Sequence, residues 1–150
     1  MINSILLAED NIEHCFFFKK ALDEVATGIQ FTEVHDGDAL MSFLENFIPD
    51  LLFVDLNMPC RSGMQCIREI RQNAVYNSLP IIVYSIAQDE TTIQLSYSLG
   101  AHLYFLKPQQ YSTLVTALHS VLNMNWEDPK TIAEKHFIGN RYVSFQYENS

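Results

Sequence analysis

The sequence lacks the features of a secreted or membrane-embedded chain. Its first ten residues, MINSILLAED, contain no basic side chain and end in two acids, whereas a secretory signal begins with positive charge. No apolar run approaches the ~18 residues that a membrane-spanning helix needs. We therefore expect a soluble, cytoplasmic protein that has no membrane partner.

Positive charge is also scarce. Nine Lys and Arg residues stand against 18 Asp and Glu residues, which leaves a formal net charge of -9. A surface of that average sign repels the phosphates of nucleic acids and of anionic lipids. The charge balance therefore predicts no nucleic-acid binding by the body of the protein.

Paired cysteines are missing as well. Cys15, Cys60 and Cys66 form an odd set without a Cys-x-x-Cys pair, so the sequence indicates neither a disulfide framework nor a zinc site. The five histidines are scattered and show no metal-ligand spacing. We interpret the cysteines as reduced packing residues and the histidines as structural residues.

The sequence does contain a repeated alternation of short apolar runs with stretches of helical spacing, up to about residue 123. Such alternation predicts an α/β fold, a parallel sheet with helices on both faces. Five strand-helix repeats with right-handed crossovers predict a doubly wound five-stranded sheet in the order 2-1-3-4-5. The predicted strands are Ser4–Ala8, Gln30–Val34, Leu51–Val54, Ile81–Tyr84 and Leu103–Phe105.

Start and stop signals between the strands predict five helices. The first is expected to turn Phe16, Ala21, Leu22 and Val25 inward, although the run Phe16-Phe17-Phe18 is wider than one core stripe needs and part of it is expected to be exposed. The predicted first or capping residues are Asn11, Asp36, Ser62 or Gly63, Asp89, and Tyr111 or Ser112, with Gly100 ending the fourth helix.

The last segment breaks this rhythm. We predict a domain over residues 1–123 and a C-terminal extension over residues 124–150, which is too short and acidic for a DNA-binding domain. Gly139-Asn140 between two short aromatic-rich runs predicts a hairpin. The extension is expected either to pack back on the domain or to pair across a homodimer.

Polar side chains follow four of the predicted strands where each strand ends. Glu9 and Asp10 end the first strand, Asp55 the third, Ser85 the fourth and Lys107 the fifth. In a doubly wound sheet these ends face one crevice. Three carboxylates at one place repel each other, and a hard divalent cation with oxygen ligands, Mg2+, relieves that repulsion.

The remaining groups indicate phosphoryl transfer. A carboxylate can act as the nucleophile, and the protein then needs mainly to position the phosphoryl group and neutralise its oxygens. Asp55 is the predicted nucleophile, with Lys107 and the Ser85 hydroxyl each holding one phosphoryl oxygen. The expected product is an acyl phosphate on Asp55.

These residues carry a family resemblance. The segments LLAED, DLNMPCRSG, YSIA and FLKP resemble the receiver domain of two-component response regulators, over roughly residues 3–123. The resemblance implies a flavodoxin-like fold and Mg2+-dependent phosphorylation of Asp55 by a histidine kinase or phosphotransfer protein. It also implies a main-chain carbonyl ligand at Asn57 and a cis peptide bond before Pro108.

The resemblance assigns further roles to single residues. Pro59 and Gly63 shape the loop after the third strand, and Ser85 with Tyr104 forms the switch pair. Many family members have two aspartates where this chain has Glu9-Asp10, so the longer Glu9 side chain is expected to reach the metal less directly. Ser85 lacks the methyl group of the family's threonine.

The resemblance also places the output. A downstream partner is expected to bind the face formed by the fourth helix, fifth strand and fifth helix. The residues expected to be exposed there are Gln94, Tyr97, Ser98, His102 and Tyr104. His14 begins the first helix near the crevice, where an influence on kinase docking or dephosphorylation is the alternative to a structural role.

Three rival functions stay open. A flavodoxin-like FMN carrier would need a phosphate-cradling loop after the first strand, where this chain has acids that repel phosphate. A Mg2+-dependent aspartyl phosphatase commonly has a second aspartate two residues after the nucleophile, where this chain has Asn57. A receiver that signals without phosphorylation would not need the full set of site residues.

Overall fold

The predicted sheet is present in the computed structural model, which describes residues 1–147. The last three residues of the predicted extension, 148–150, lie outside the described residues. The strands are β1 (Ser4–Ala8), β2 (Gln30–Val34), β3 (Leu51–Val54), β4 (Ile81–Ser85) and β5 (Leu103–Leu106). They pair in parallel in the order β2-β1-β3-β4-β5, which confirms the predicted order. Their bounds agree with the predicted strands to within one residue.

The burial of the strands follows the apolar runs. Every residue of β1, β3 and β4 is buried, because helices cover both faces of the central sheet. β2, at the edge, has no fully buried residue. Because β2 is an edge strand, its outer edge is an open side of the sheet.

The helices begin and end close to the predicted signals. They are α1 (Ile12–Val25), α2 (Gly37–Asn46), α3 (Gly63–Arg71), α4 (Glu90–Leu99), α5 (Tyr111–Leu122) and α6 (Pro129–Lys135), with a short 3-10 helix at Ala74–Tyr76. The N-cap side chains of α1 to α4 each accept a hydrogen bond from the first turn, those of Asn11, Asp36, Ser62 and Asp89. Gly100 ends α4 in a left-handed conformation.

The inward face of α1 differs from the prediction at one position. Phe16 is 61% exposed, so its predicted inward orientation is wrong, and Phe18 occupies the core instead. Phe18 lies edge-on to Phe53, with ring centroids 4.9 Å apart. The buried residues of α1 repeat at helical spacing, and Phe16 falls off that stripe; they are Cys15, Phe18, Ala21 and Leu22.

The C-terminal extension contains the predicted hairpin and a helix that was not predicted. β6 (Phe137–Ile138) and β7 (Arg141–Tyr142) pair antiparallel around Gly139 and Asn140, which both have positive φ, as a tight hairpin turn requires. Helix α6 precedes them, with Asp128 as N-cap and Pro129 in its first turn. Proline is favourable there because that N–H has no partner within the helix.

The extension packs against α4 and β5 of its own chain. The Tyr97 and Tyr142 rings stack with centroids 4.5 Å apart, and the Tyr97 hydroxyl donates to the Val143 carbonyl at 2.8 Å. The Phe145 N–H donates to the Tyr104 carbonyl at 2.7 Å. The expectation that Tyr97, His102 and Tyr104 are exposed is therefore wrong, because all three are buried.

His102 is buried for a second reason, its contacts with the first residue of β4 and the last residue of α3. Its Nδ1 accepts a hydrogen bond from the Ile81 N–H at 3.2 Å, and the Arg71 guanidinium lies 3.4 Å from the same nitrogen. Burial, and then the charge of Arg71, lower the pKa of His102 to about 4 from the ordinary 6.5. The folded chain therefore holds this imidazole neutral.

We expect the free energy of unfolding to fall as the pH is lowered from 6.5 to 4. In that range the unfolded chain binds a proton at His102 that the folded chain does not, which costs up to about 3 kcal/mol. Urea titrations of the parent and of His102→Gln across that range measure the effect. His102→Gln should lose this part of the pH dependence of the unfolding free energy, whereas exposed His119→Gln should retain it. An unchanged pH dependence in His102→Gln would contradict the lowered pKa of His102.

Candidate functional site

The carboxyl ends of three strands, β1, β3 and β5, deliver the predicted carboxylates and Lys107 to one crevice, and Ser85 ends the neighbouring strand β4. Main-chain hydrogen bonds continue the sheet past the strand ends: the Asp55 N–H donates to the Ala8 carbonyl at 2.9 Å, and the Lys107 N–H to the Ser85 carbonyl at 2.9 Å. These bonds fix where each side chain leaves the sheet. The fixed backbone therefore holds Asp55, just after β3, close to Lys107, just after β5.

The Lys107 ammonium lies at the centre of the site. Its Nζ is 2.5 Å from Glu9 Oε2 and 3.2 Å from Asp55 Oδ2, and all three side chains are nearly buried. The same Nζ lies 2.9 Å from Nδ1 of His14, which the sequence placed near the crevice, and 5.3 Å from the centroid of the Tyr84 ring, which it did not. A buried ammonium is costly to maintain unless it is paired, and here it is paired with two carboxylates.

Burial and the neighbouring charges shift the pKa values of Glu9 and His14. Burial, opposed by the hydrogen bond and charge of Lys107, raises the pKa of Glu9 to about 7. The charge of Asp55 adds to this rise. Burial and the charge of Lys107 lower the pKa of His14. Because three carboxylates face one lysine in the crevice, a cation would be favoured there.

The donor set fits a hard divalent cation. Glu9, Asp10 and Asp55 each offer a carboxylate oxygen, and the three oxygens lie within 4.8 Å of one another. Glu9 and Asp55 are buried, whereas Asp10 is exposed and leaves the site open to solvent. Oxygen ligands alone are the set that Mg2+ and Mn2+ prefer. The Asn57 N–H is 3.5 Å from Asp55 Oδ1, and its carbonyl as a ligand stays a prediction.

The loop after β3 is shaped by close approach rather than by an unusual angle at Gly63. A Cβ at Gly63 would lie 2.2 Å from the Asp55 carbonyl oxygen, and the Gly63 N–H donates to the Leu56 carbonyl at 3.0 Å. The left-handed residue of the loop is Cys60, which follows Pro59. Gly63 thus lets α3 begin directly against the backbone of Asp55.

The expected cis peptide bond before Pro108 is wrong. That bond is trans. Lys107 still reaches the crevice, because its N–H is bonded to β4 and its side chain is held by Glu9 and Asp55. The direction of this lysine therefore follows from the sheet.

Ser85 and Tyr104, the predicted switch pair, both form hydrogen bonds with the main chain of Ala87. The Ala87 N–H donates to the Ser85 hydroxyl oxygen at 3.1 Å, and the Tyr104 hydroxyl donates to the Ala87 carbonyl at 2.8 Å. Ser85 and Tyr104 are both fully buried. The tyrosine ring therefore points inward, onto the loop after β4.

A family model agrees with this geometry. The model described as "Response regulator receiver domain" matches residues 5–119. CpxR of Klebsiella pneumoniae, named a transcriptional regulatory protein, is 29% identical over 134 residues, which are 89% of this chain and 55% of CpxR. The chain thus spans about half the length of CpxR. Response regulator Rcp1 of Synechocystis sp. is 26% identical over 78% of this chain and 84% of Rcp1.

Solved structures with the same fold include two close in size to this chain. The phosphorylated cyanobacterial phytochrome response regulator RcpA superposes with a TM-score of 0.75 at 26% identity, covering 81% of this chain and 91% of RcpA. The Mn2+-bound form of Rcp1 superposes with a TM-score of 0.75 at 25% identity, covering 83% and 95%. Among residues 1–147, none of the helices is long and apolar enough to cross a membrane. The chain belongs to the response regulator receiver domain family.

Proposed function

We propose that this chain is a phosphoacceptor switch in which Asp55 receives a phosphoryl group from a histidine kinase or phosphotransfer protein. One observation supports this most directly: the Lys107 ammonium lies within hydrogen-bonding distance of both Asp55 and Glu9 in a nearly buried crevice. Such an arrangement can neutralise charge that arrives on Asp55. The phosphorylated RcpA and Mn2+-bound Rcp1 structures make the same chemistry reasonable here.

The chain's own residues would carry out the transfer in one displacement. An Asp55 carboxylate oxygen forms the bond to phosphorus while the bond from phosphorus to the donor's nitrogen or acyl oxygen breaks, and the electron pair leaves with the donor. Lys107 pairs with one phosphoryl oxygen. The Ser85 hydroxyl turns from the Ala87 N–H to a second oxygen. When bound by Glu9, Asp10 and Asp55, Mg2+ supplies further charge neutralisation.

The C-terminal extension would carry the output. Tyr104 belongs to the proposed switch, and its main chain is bonded both to the extension and to Tyr97, whose hydroxyl accepts from the Tyr104 N–H at 3.0 Å. Any shift of β5 on phosphorylation would therefore change the contacts of residues 142–147. We propose that a downstream partner binds the α4-β5-α5 face with this extension packed on it.

The rival functions receive less support. The acids after β1 face the crevice where an FMN phosphate would have to lie. Asn57 offers no acid for phosphatase turnover. A receiver that acts without phosphorylation would have no use for a nearly buried lysine between two carboxylates, which is costly to maintain.

Incubation with acetyl phosphate and Mg2+ tests the proposal. Intact-mass measurement of the full chain should show a gain of about one phosphate mass, because the carboxylate of Asp55 is the acceptor. Asp55→Asn should show none, and omission of Mg2+ should abolish the gain in the parent. Hydrogen exchange of the same samples should then show changed protection in residues 142–147 of the phosphorylated parent alone.

Two outcomes would overturn parts of this assignment. Equal mass gain in Asp55→Asn and the parent would place the phosphate elsewhere. If the phosphorylated parent showed unchanged protection in residues 142–147, Asp55 would stand as the phosphoacceptor. The proposed role of the extension in the output would then be wrong. Exposed Asp23→Asn is the matched control, since Asp23 pairs with Lys19 on the surface, and should behave as the parent.

A further inference from the structure

A second group of side chains that could hold a metal ion lies next to the carboxylate crevice. Sγ of Cys15, a carboxylate oxygen of Glu33 and a ring nitrogen of His35 lie within 4.8 Å of one another. His35 Nε2 is 3.3 Å from Glu33 Oε2. None of these residues belongs to the proposed phosphorylation site.

The fold brings the three side chains together from two elements. Cys15 is on the buried face of α1, and Glu33 lies near the end of the edge strand β2, with His35 just after that strand. Cys15 is only 2% exposed, whereas the side chains of Glu33 and His35 are 41% and 50% exposed. The thiol therefore forms the floor of the cluster, and the other two side chains form its rim at the open side of the sheet.

The donor set differs in kind from that of the crevice. Three carboxylates favour hard ions such as Mg2+, whereas a thiolate, an imidazole and a carboxylate favour a softer ion such as Zn2+. Zn2+ with three protein ligands takes a water as the fourth in a tetrahedral shell. Ligand atoms about 3.5 Å apart suit bonds of about 2.0–2.3 Å, and small rotations of the exposed Glu33 and His35 side chains would reach that spacing.

We propose that Cys15, Glu33 and His35 form a site for a Zn2+-like divalent cation with one position open to water. Binding exchanges the thiol proton for the metal: the Cys15 S–H bond breaks, the sulfur pair binds the cation and the proton goes to solvent. The hydrogen bond from the thiol to the Glu9 carbonyl, 3.4 Å long, is lost in the same step.

A cation at this cluster has to displace the thiol proton. Burial raises the pKa of the Cys15 thiol well above its usual range, so the thiol is protonated without a cation and its deprotonation opposes binding. Interaction with the Cys15 thiol lowers the pKa of the Glu33 carboxyl, which therefore offers a carboxylate to the cation. The site shares no ligand with the crevice, although Glu9 lies next to Cys15.

Cobalt titration of the full chain tests the site. Co2+ bound by a thiolate has a near-ultraviolet charge-transfer absorption that oxygen ligands do not give, and excess Mg2+ in the buffer occupies the carboxylate crevice. The parent should develop this absorption with one equivalent of Co2+, and Zn2+ should abolish it. Cys15→Ser should not develop it, and His35→Gln should bind Co2+ at least about tenfold more weakly.

Matched variants separate this site from other thiols and histidines. Cys60→Ser removes an exposed thiol and His119→Gln an exposed imidazole, and both should retain the parent's absorption. His35→Gln changes an exposed side chain and should fold as the parent does. It therefore tests the site even if Cys15→Ser proves unstable. Cobalt binding without the charge-transfer absorption, or absorption that survives in Cys15→Ser and His35→Gln, would overturn the proposal.

Discussion

Lys107→Met is expected to slow phosphorylation of the full chain by acetyl phosphate by about 10²–10³-fold, the cost of removing one preorganised group that stabilises charge in a transition state. The ammonium is 3.2 Å from Asp55 Oδ2, and methionine offers a side chain of similar length without charge. Time courses of intact mass at saturating Mg2+ measure the rate.

The same variant should bind Mg2+ more tightly than the parent. The ammonium lies 2.5 Å from Glu9 Oε2 and competes with a cation for the same carboxylates, so its removal leaves their charge uncompensated. Calorimetric titration with Mg2+ measures this affinity. Unchanged or weaker Mg2+ binding would show that the ammonium does not compete with the cation for these carboxylates. Lys19→Met, an exposed lysine paired with Asp23, is the control and should change neither value.

Removal of residues 124–150 is expected to lower the free energy of unfolding by about 5 kcal/mol or more, since each large apolar side chain that loses its burial costs roughly 1.5–3 kcal/mol. Trp126 and Ile132 are part of the core on the α1-α5 side of the sheet, and the Trp126 ring N–H donates to the Val121 carbonyl at 2.8 Å. Urea unfolding of the shortened chain measures the loss.

A shorter deletion separates the helix from the hairpin. Removal of residues 137–150 keeps Trp126 and Ile132 and uncovers the Tyr97 ring, so a loss of about 2–3 kcal/mol is expected. Ile138→Ser at the exposed hairpin is the control and should change stability by less than about 0.5 kcal/mol. If both deletions left stability unchanged, the extension would not pack on its own chain in solution. A drop in mass from dimer to monomer on deletion would instead support pairing across a homodimer.

The strands and their order were predictable because the signal is local and repeated. The runs ILLA, LLFV and IIVY are apolar throughout, and such runs are typical of strands covered on both faces. Helix caps such as Asn11 and Asp89 were predictable for the same reason, since the side chain bonds to its own first turn. Helix α6 was missed although Asp128 and Pro129 are a local start signal, because the helix has only 7 residues and Ile132 is its one buried residue, too few for a helical period.

The contents of the crevice were predictable only in part. The strand ends identified Glu9, Asp10, Asp55, Ser85 and Lys107 as neighbours, and the structure brings the three carboxylates and the lysine together. The Tyr84 ring beside Lys107 was missed, because a buried strand tyrosine has no local mark that separates it from any other core residue. The cluster of Cys15, Glu33 and His35 was missed because its residues show no regular spacing in the sequence.

The sequence by itself determined the alternation of strands and helices, and with it the edge of the sheet where charged side chains collect. Periodicity and capping act over a few residues, so they can be recognised without knowing what packs against them. Only the tertiary structure decided that the extension covers Tyr97 and Tyr104, that Lys107 needs no cis bond to reach Asp55, and that a thiol of α1 meets a histidine after β2. Those contacts join residues far apart in the chain, and their free energies depend on the burial and distance that packing alone supplies.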